Sequence, residues 1–381
     1  MVATALVVLG AGSAWLAAHF GVRQALLLWI GAACGLTLYH AAFGFTSAYR
    51  RLLTMGDTRG ARAQLLMLAI ATVLFAPLLA VGPALGLDVA GAVAPAGVSV
   101  ILGAFLFGIG MQLGGGCGSG TLFHLGGGST PLALTLAGFV AGSVVATFHM
   151  PFWTALPSMG ELSLGVLLGW PAAVAIQLGV LGALGGLLAR TSRRAAVSAR
   201  AECPGWRTRL LHGPWSLTTG AVVLAVLNAL TLVVAGHPWT ITWAFTLWGG
   251  KLVQLAGHDL GQVPFWTGGF QHTALAAPVL ADQTSVMDIG LMLGALLAAG
   301  LAGRFAPARA PSVTEGAGRL LGGLLLGYGA RIAFGCNIGA LFSGIASTSL
   351  HGWLWGAAAL LGTPLGVRLR AVFHGRPPAA S

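Results

Sequence analysis

The chain has 381 residues, 56% hydrophobic and only 7% charged, with a formal net charge of +11. Soluble domains carry about 25% charged residues. So few charges cannot cover a soluble surface, which excludes a soluble globular protein and points to a polytopic membrane protein. The positive balance would suggest nucleic acid in a soluble chain, but the arginines fall at segment ends, where membrane topology accounts for them.

The N-terminus lacks the basic region of a signal peptide, so residues 2–20 read as a retained helix. Apolar stretches follow at 24–48, 62–82, 98–115, 118–130, 131–150 and 161–189. A second series lies at 215–236, 240–256, 262–280, 286–303, 316–335, 338–350 and 351–373. Several are shorter than the roughly 17–25 residues of a spanning helix. The short ones flank glycine-rich breaks, the pattern of discontinuous or re-entrant helices, whose bare backbone must be buried in protein or line a cavity. The 60 glycines and 17 prolines fit such broken, closely packed helices.

Basic clusters lie at Arg50–Arg62, Arg190–Arg209, Arg304–Arg319 and Arg368–Arg376, while the loops near 83–97, 151–160 and 281–288 have no Lys or Arg. The first set is expected on the cytoplasmic side and the second outside. The expected organisation is a membrane half over 1–190, a basic cytoplasmic linker over 191–213 and a second, inverted half over 214–381. The linker carries Cys203, read as a free cytoplasmic thiol.

The halves share one motif. Gly108-Ile-Gly-Met-Gln-Leu-Gly-Gly-Gly116-Cys117-Gly-Ser-Gly120 aligns without a gap with Gly327-Tyr-Gly-Ala-Arg-Ile-Ala-Phe-Gly335-Cys336-Asn-Ile-Gly339, 219 residues later. Topology runs the first copy inward and the second outward, so the fold expected is all-α with inverted internal repeats. Such repeats place a transporter site near the bilayer midplane. Cys117 and Cys336 should therefore approach one point. Weaker echoes start at Gly35–Arg50 and, as its expected partner, Gly249–Asp259.

A thiol is a weak donor and a polarizable acceptor, suited to a soft sulfur- or selenium-bearing solute or a soft metal ion. Helices starting after each cysteine would turn N–H groups and a positive dipole end toward the centre, favouring an anion. Gly116, Gly118, Ser119 and Gly120 in one copy, and Gly335, Asn337 and Gly339 in the other, are the residues placed there. Gln112 and Arg331 stand five residues before the cysteines, and an arginine at that depth marks a pathway. Lys251 and His258 read either as an internal ion pair with Asp259 or as an entry site. No Walker A sequence, HExxH or nucleophile elbow is present, and no enzyme activity, metal, cofactor or nucleic acid is expected.

At these residues the chain resembles the YeeE/YedE family, the thiosulfate transporters, over nearly its whole length. The motif copies and Met287-Asp288-Ile289-Gly290 carry the resemblance. It implies an hourglass of helices in a prokaryotic inner membrane. Re-entrant elements would bring thiols to a constriction that passes thiosulfate by S–H···S hydrogen bonds, with a small cytoplasmic TusA-like sulfur carrier as partner. In the family, the first element has a cysteine in a stretch like Phe-Cys-x-Thr-x-Ala-x-Arg. Here Gly44 stands in that place, two residues before Thr46, so a relay would rest on two thiols. Rival readings are transport of sulfide, sulfite or a selenium species, a membrane thiol-redox or sulfurtransferase protein, and a structural partner of another permease.

Overall fold

The computed structural model describes residues 1–192, 205–305, 307 and 310–374. Among these, nine helical spans are long and apolar enough to cross a membrane. The first half holds α1 (Val2–Phe20), α2 (Val22–His40), α3 (Phe45–Met55), α4 (Arg59–Val81), α5 (Val98–Gly114), α6 (Gly118–Gly126) and α7 (Leu132–Thr154). The short α8 (Leu164–Leu168), then α9 (Trp170–Thr191) and α10 (Trp206–His212), lead to the second series. That series holds α11 (Leu217–Ala235), α12 (Thr242–Leu255), α13 (Gly269–Ala276), α14 (Gln283–Leu301) and α15 (Val313–Ile332). A π-helical segment, Asn337–Phe342, then passes into α16 (Ser343–Ala346) and α17 (Leu350–His374). The strands β1 (Pro95–Gly97) and β2 (Ser158–Glu161) pair antiparallel at one end of the bundle.

The chain breaks where its backbone turns left-handed. Ala42 at φ 46° separates α2 from α3, so the stretch expected over 24–48 is two elements. Gly56 at φ 64° ends α3, and Gly236 at φ 81° ends α11. Expectation and structure differ most over 262–280. There Pro264, Gly269 at φ 62° and Pro278 leave only two 3₁₀ turns and the eight-residue α13, too short to cross a bilayer.

Packing repeats under exchange of the halves. α2 packs on α14 as α11 packs on α4, α5 packs on α17 as α15 packs on α7, and α5 and α15 pack on each other. A Cβ added at Gly108 would lie 2.1 Å from the Ala359 carbonyl oxygen, and one at Gly327 lies 2.0 Å from that of Phe139. Small residues at matched points thus let the backbones touch in both halves, as lipid-embedded helices require. Gly103 faces Gly329 while Gly110 faces Gly322, so α5 and α15 run antiparallel. By the same correspondence, α3 matches α12. The expected partner of the Gly44 region is therefore corrected: the start of α12, not Gly249–Asp259, occupies that place. Gly249 and Gly250 are continuous helix, packed on Val144 and Trp266.

α1 and α9 stand outside this correspondence and bury only three residues each. Leu6, Val7 and Val8 of α1 and Ile176, Val180, Leu184 and Leu187 of α9 are exposed. Apolar faces of that extent suit lipid rather than water. Residues 193–204, which take in most of the expected linker and Cys203, lie outside the described residues.

Candidate functional site

Each cysteine is the residue before a helix and has extended backbone: Cys117 at φ −87°, ψ −166° before α6, and Cys336 at φ −120°, ψ −165° before the π-helical segment. The first turns close identically, by Thr121 N–H donating to the Cys117 carbonyl at 2.8 Å and Ala340 N–H to the Cys336 carbonyl at 2.9 Å. The glycine before each cysteine is a steric demand of that turn. A Cβ at Gly116 would lie 3.0 Å from Thr121 N, and one at Gly335 2.8 Å from Ala340 N. One position earlier, Gly115 is left-handed at φ 83°, and so is its counterpart Phe334 at φ 56°. A bulky residue there holds strain of about 1–2 kcal/mol.

The helix starts turn their N–H groups onto sulfur. Ile338 N–H donates to Cys336 Sγ at 3.4 Å, and the Gly120 and Gly339 N–H groups lie against the Cys117 and Cys336 thiols. Ser119 Oγ is 3.5 Å from Cys117 Sγ. A backbone donor thus engages the Cys336 sulfur, while the Cys117 sulfur is paired with the Ser119 hydroxyl, either of which can donate. Cys336 Sγ lies beside Gly118, the residue after Cys117: a Cβ added there would sit 3.5 Å from it, and the two thiols are within electrostatic reach of each other.

The structure brings most of the expected residues to this centre. The Thr46 hydroxyl, on the first turn of α3, lies beside Cys117. Gln112 Nε2 donates to the Thr46 carbonyl at 3.0 Å, which ties α5 to α3. Arg370 donates to the Gln112 carbonyl at 2.9 Å, so a cation meets the C-terminal carbonyls of α5. Among the described residues, Thr46 Oγ1, Gln112 Oε1 and both amide atoms of Asn337 are buried with no hydrogen-bond partner. Buried polar atoms are nearly always paired, so their clustering beside two thiols marks a place for a ligand. Tyr49 also belongs to the centre, its hydroxyl facing Cys117 and Asn337. Sequence reading missed it, although i, i+3 spacing from Thr46 puts both on one face of α3. Thr240 was missed too; its Oγ1 is 3.2 Å from a Cβ placed on Gly339.

Two cavities approach the centre from opposite ends. One, of about 530 Å³, is lined by Gly44, Ser47, Arg51, Asp57, Arg59 and Leu217. The other, of about 790 Å³, is lined by His237, Thr240, Trp243, Asp282 and Arg331. Leu217 opens α11 and His237 follows its end, so 19 helical residues, about 28 Å, separate them. That is close to the roughly 30 Å hydrocarbon thickness of a bilayer. Gly44 therefore lines the Arg-rich cavity and Arg331 the opposite one. The Arg331 guanidinium sits 5.2 Å over the Phe265 ring, and its Nε has no hydrogen-bond partner among the described residues. The structure does not bring Lys251 or His258 to the thiols. Lys251 Nζ donates to the carbonyls of Leu275 and Ala277, and His258 is exposed in a loop.

An all-helical multi-pass membrane protein, with helices broken around a polar centre between two cavities, has the architecture of the transporter class. The chain belongs to the sulphur transport family, which it matches over residues 40–365. It is 33% identical over 155 residues to the "Probable transporter YedE" of Escherichia coli (strain K12), a match covering 40% of this chain and 37% of that protein. The chain thus spans well under half the length of that relative. Similarity to the "Thiosulfate transporter TsuA" of Spirochaeta thermophila is 28% identity over 351 residues, covering 88% of this chain and 95% of that protein.

Proposed function

We propose that the protein carries thiosulfate inward across the membrane between the Cys117 and Cys336 thiols. The observation that carries this reading is the cluster of buried polar atoms without partners among the described residues, Thr46 Oγ1, Gln112 Oε1 and the Asn337 amide, around two buried thiols. Thiosulfate has a soft terminal sulfur and three charged oxygens. Its sulfur accepts S–H···S bonds from the two cysteines in turn. Its oxygens accept from Asn337 Nδ2, the hydroxyls of Thr46, Ser119 and Tyr49, and the N–H groups at the start of α6. Arg331 raises the local anion concentration at the outer cavity. Arg51 and Arg59 stand at the inner exit. No step needs a cofactor or a covalent intermediate, so the protein is a transporter rather than an enzyme. A TusA-like sulfur carrier fits as the recipient at the Arg-rich, cytoplasmic face.

The reading predicts that Cys117→Ala and Cys336→Ala each abolish growth on thiosulfate as sole sulfur source, in a host lacking its own uptake system, while membrane levels of the protein hold. Wild-type growth by both variants overturns it. Growth rescue by sulfite or sulfide, but not thiosulfate, would transfer the site to another sulfur species.

A further inference from the structure

Asp288 has no part in the relay described above. It lies on α14, fully buried, and both carboxylate oxygens lack a hydrogen-bond partner among the described residues. An ionised carboxylate without a donor in an apolar interior costs several kcal/mol. A bound proton removes that cost. The seam around it is closed by small residues: a Cβ at Gly31 would meet the Met287 carbonyl at 2.2 Å, and one at Gly290 the Leu28 carbonyl at 2.3 Å.

Polar residues lie toward it from the outer cavity, though among the described residues no hydrogen bond joins the last of them, Ser285, to Asp288, and Ser285 Oγ also accepts from Trp248 Nε1 at 2.9 Å. Asp282, Gln283 and Thr284 line that cavity. Asp282 Oδ2 accepts from Ser285 Oγ and Ser285 N–H, both at 2.7 Å, and Asp282 Oδ1 accepts from Trp243 Nε1 at 2.9 Å. Ser285 is fully buried and three residues before Asp288, on the same helix face and about 4.5 Å along the axis. The Asp288 carboxyl in turn lies within electrostatic reach of the Cys336 thiol. The charged and titratable groups in its range are Asp282 and Cys336. On the helices packed against α14, α1 carries His19, α2 Arg23, Cys34, Tyr39 and His40, α6 His124, α10 Arg209 and His212, and α12 Lys251, whose ammonium is held by carbonyls.

We propose that Asp288 is a proton-binding site that loads from the outer cavity through Asp282 and Ser285 and couples anion passage at Cys336 to proton entry. The proton forms an O–H bond at one Asp288 oxygen and is released toward the Arg-rich cavity as the anion leaves. The proposal rests on the transport reading above, and its test separates the two.

Purified protein in proteoliposomes, with the membrane potential clamped at zero, would be given radiolabelled thiosulfate with and without an inward gradient of one pH unit. One coupled proton supports up to about tenfold accumulation. Wild type should show that stimulation together with thiosulfate-driven acidification of the lumen. Asp288→Asn should lose both yet keep gradient-independent exchange, and Asp288→Glu should retain coupling. Gradient stimulation that persists in Asp288→Asn, or a sodium gradient alone driving wild type, overturns the proposal. Loss of exchange in wild type condemns the transport reading instead. Infrared difference spectra of the wild type then still decide the proton site: a buried carboxyl C=O band that titrates with pH and is absent in Asp288→Asn supports it, and an unchanged spectrum refutes it.

Discussion

Gly116 and Gly118 flank Cys117 and meet different neighbours. A methyl at Gly116 would press on a backbone nitrogen at 3.0 Å, whereas one at Gly118 meets Ile241 at 3.4 Å and the Cys336 sulfur at 3.5 Å, ordinary contacts. Gly116→Ala should therefore destabilise by about 1–3 kcal/mol, read as a lowered thermal midpoint in detergent. Gly118→Ala, at the start of α6, should fold as well as wild type or slightly better, because alanine is the stronger helix former. It should nonetheless lose most uptake, because the methyl covers the Cys336 thiol. Equal loss of stability in both variants would contradict this division. At this scale the repeated motif made Cys117, Cys336 and their glycines readable, since backbone turns demand particular residue types. Tyr49 and Thr240 were not readable. Tyr49 left only its i, i+3 spacing from Thr46, and Thr240 reaches the centre where the chain before α12 meets the distant Gly339, which leaves no local pattern.

α3 is a short helix of 11 residues that starts beside Cys117 and ends at its Arg-rich corner with α4. Its corner with α4 is held by Asp57, which is 5% exposed and takes Arg51 at 2.8 Å and Arg59 at 2.9 Å. The Arg59 guanidinium holds the Asp57 carboxyl well below the usual carboxylate range, against a smaller opposing effect of burial. A depressed carboxyl contributes stability that is complete above its unfolded value, about 3.9. That contribution is lost as the pH falls from there toward the folded value. Thermal midpoints of wild type and Asp57→Asn should thus differ by a constant amount at pH 5–8 and converge as the pH drops below about 4. A gap that opens instead on acidification would refute this assignment. Helix breaks at glycine were legible because the short apolar stretches flank them. The pairing of α3 with α12 was misread, because Gly249-Gly250 imitates a break. In the folded chain Val140, Val144 and Trp266 fill the space around those glycines and the helix runs on.

Across the whole molecule, matched packing of α2 on α14 and α11 on α4, and of α5 on α17 and α15 on α7, brings Cys336 beside the residue after Cys117, with a cavity toward either end of the bundle. The helical, multi-pass character followed from hydropathy, because lipid leaves few alternatives to helices. Segment 262–280 departed from its apolar reading because its prolines and glycines stop any helix before it reaches membrane length. The two cavities arise only when segments far apart in sequence are assembled, and no single stretch announces them. The central claim is that a sulfur anion passes between two thiols at one point. Uptake of radiolabelled thiosulfate into proteoliposomes tests it most directly, with wild type beside Cys117→Ala, Cys336→Ala and the double variant. The account predicts uptake by wild type alone, with each single variant as inactive as the double; appreciable uptake by the double variant would contradict it.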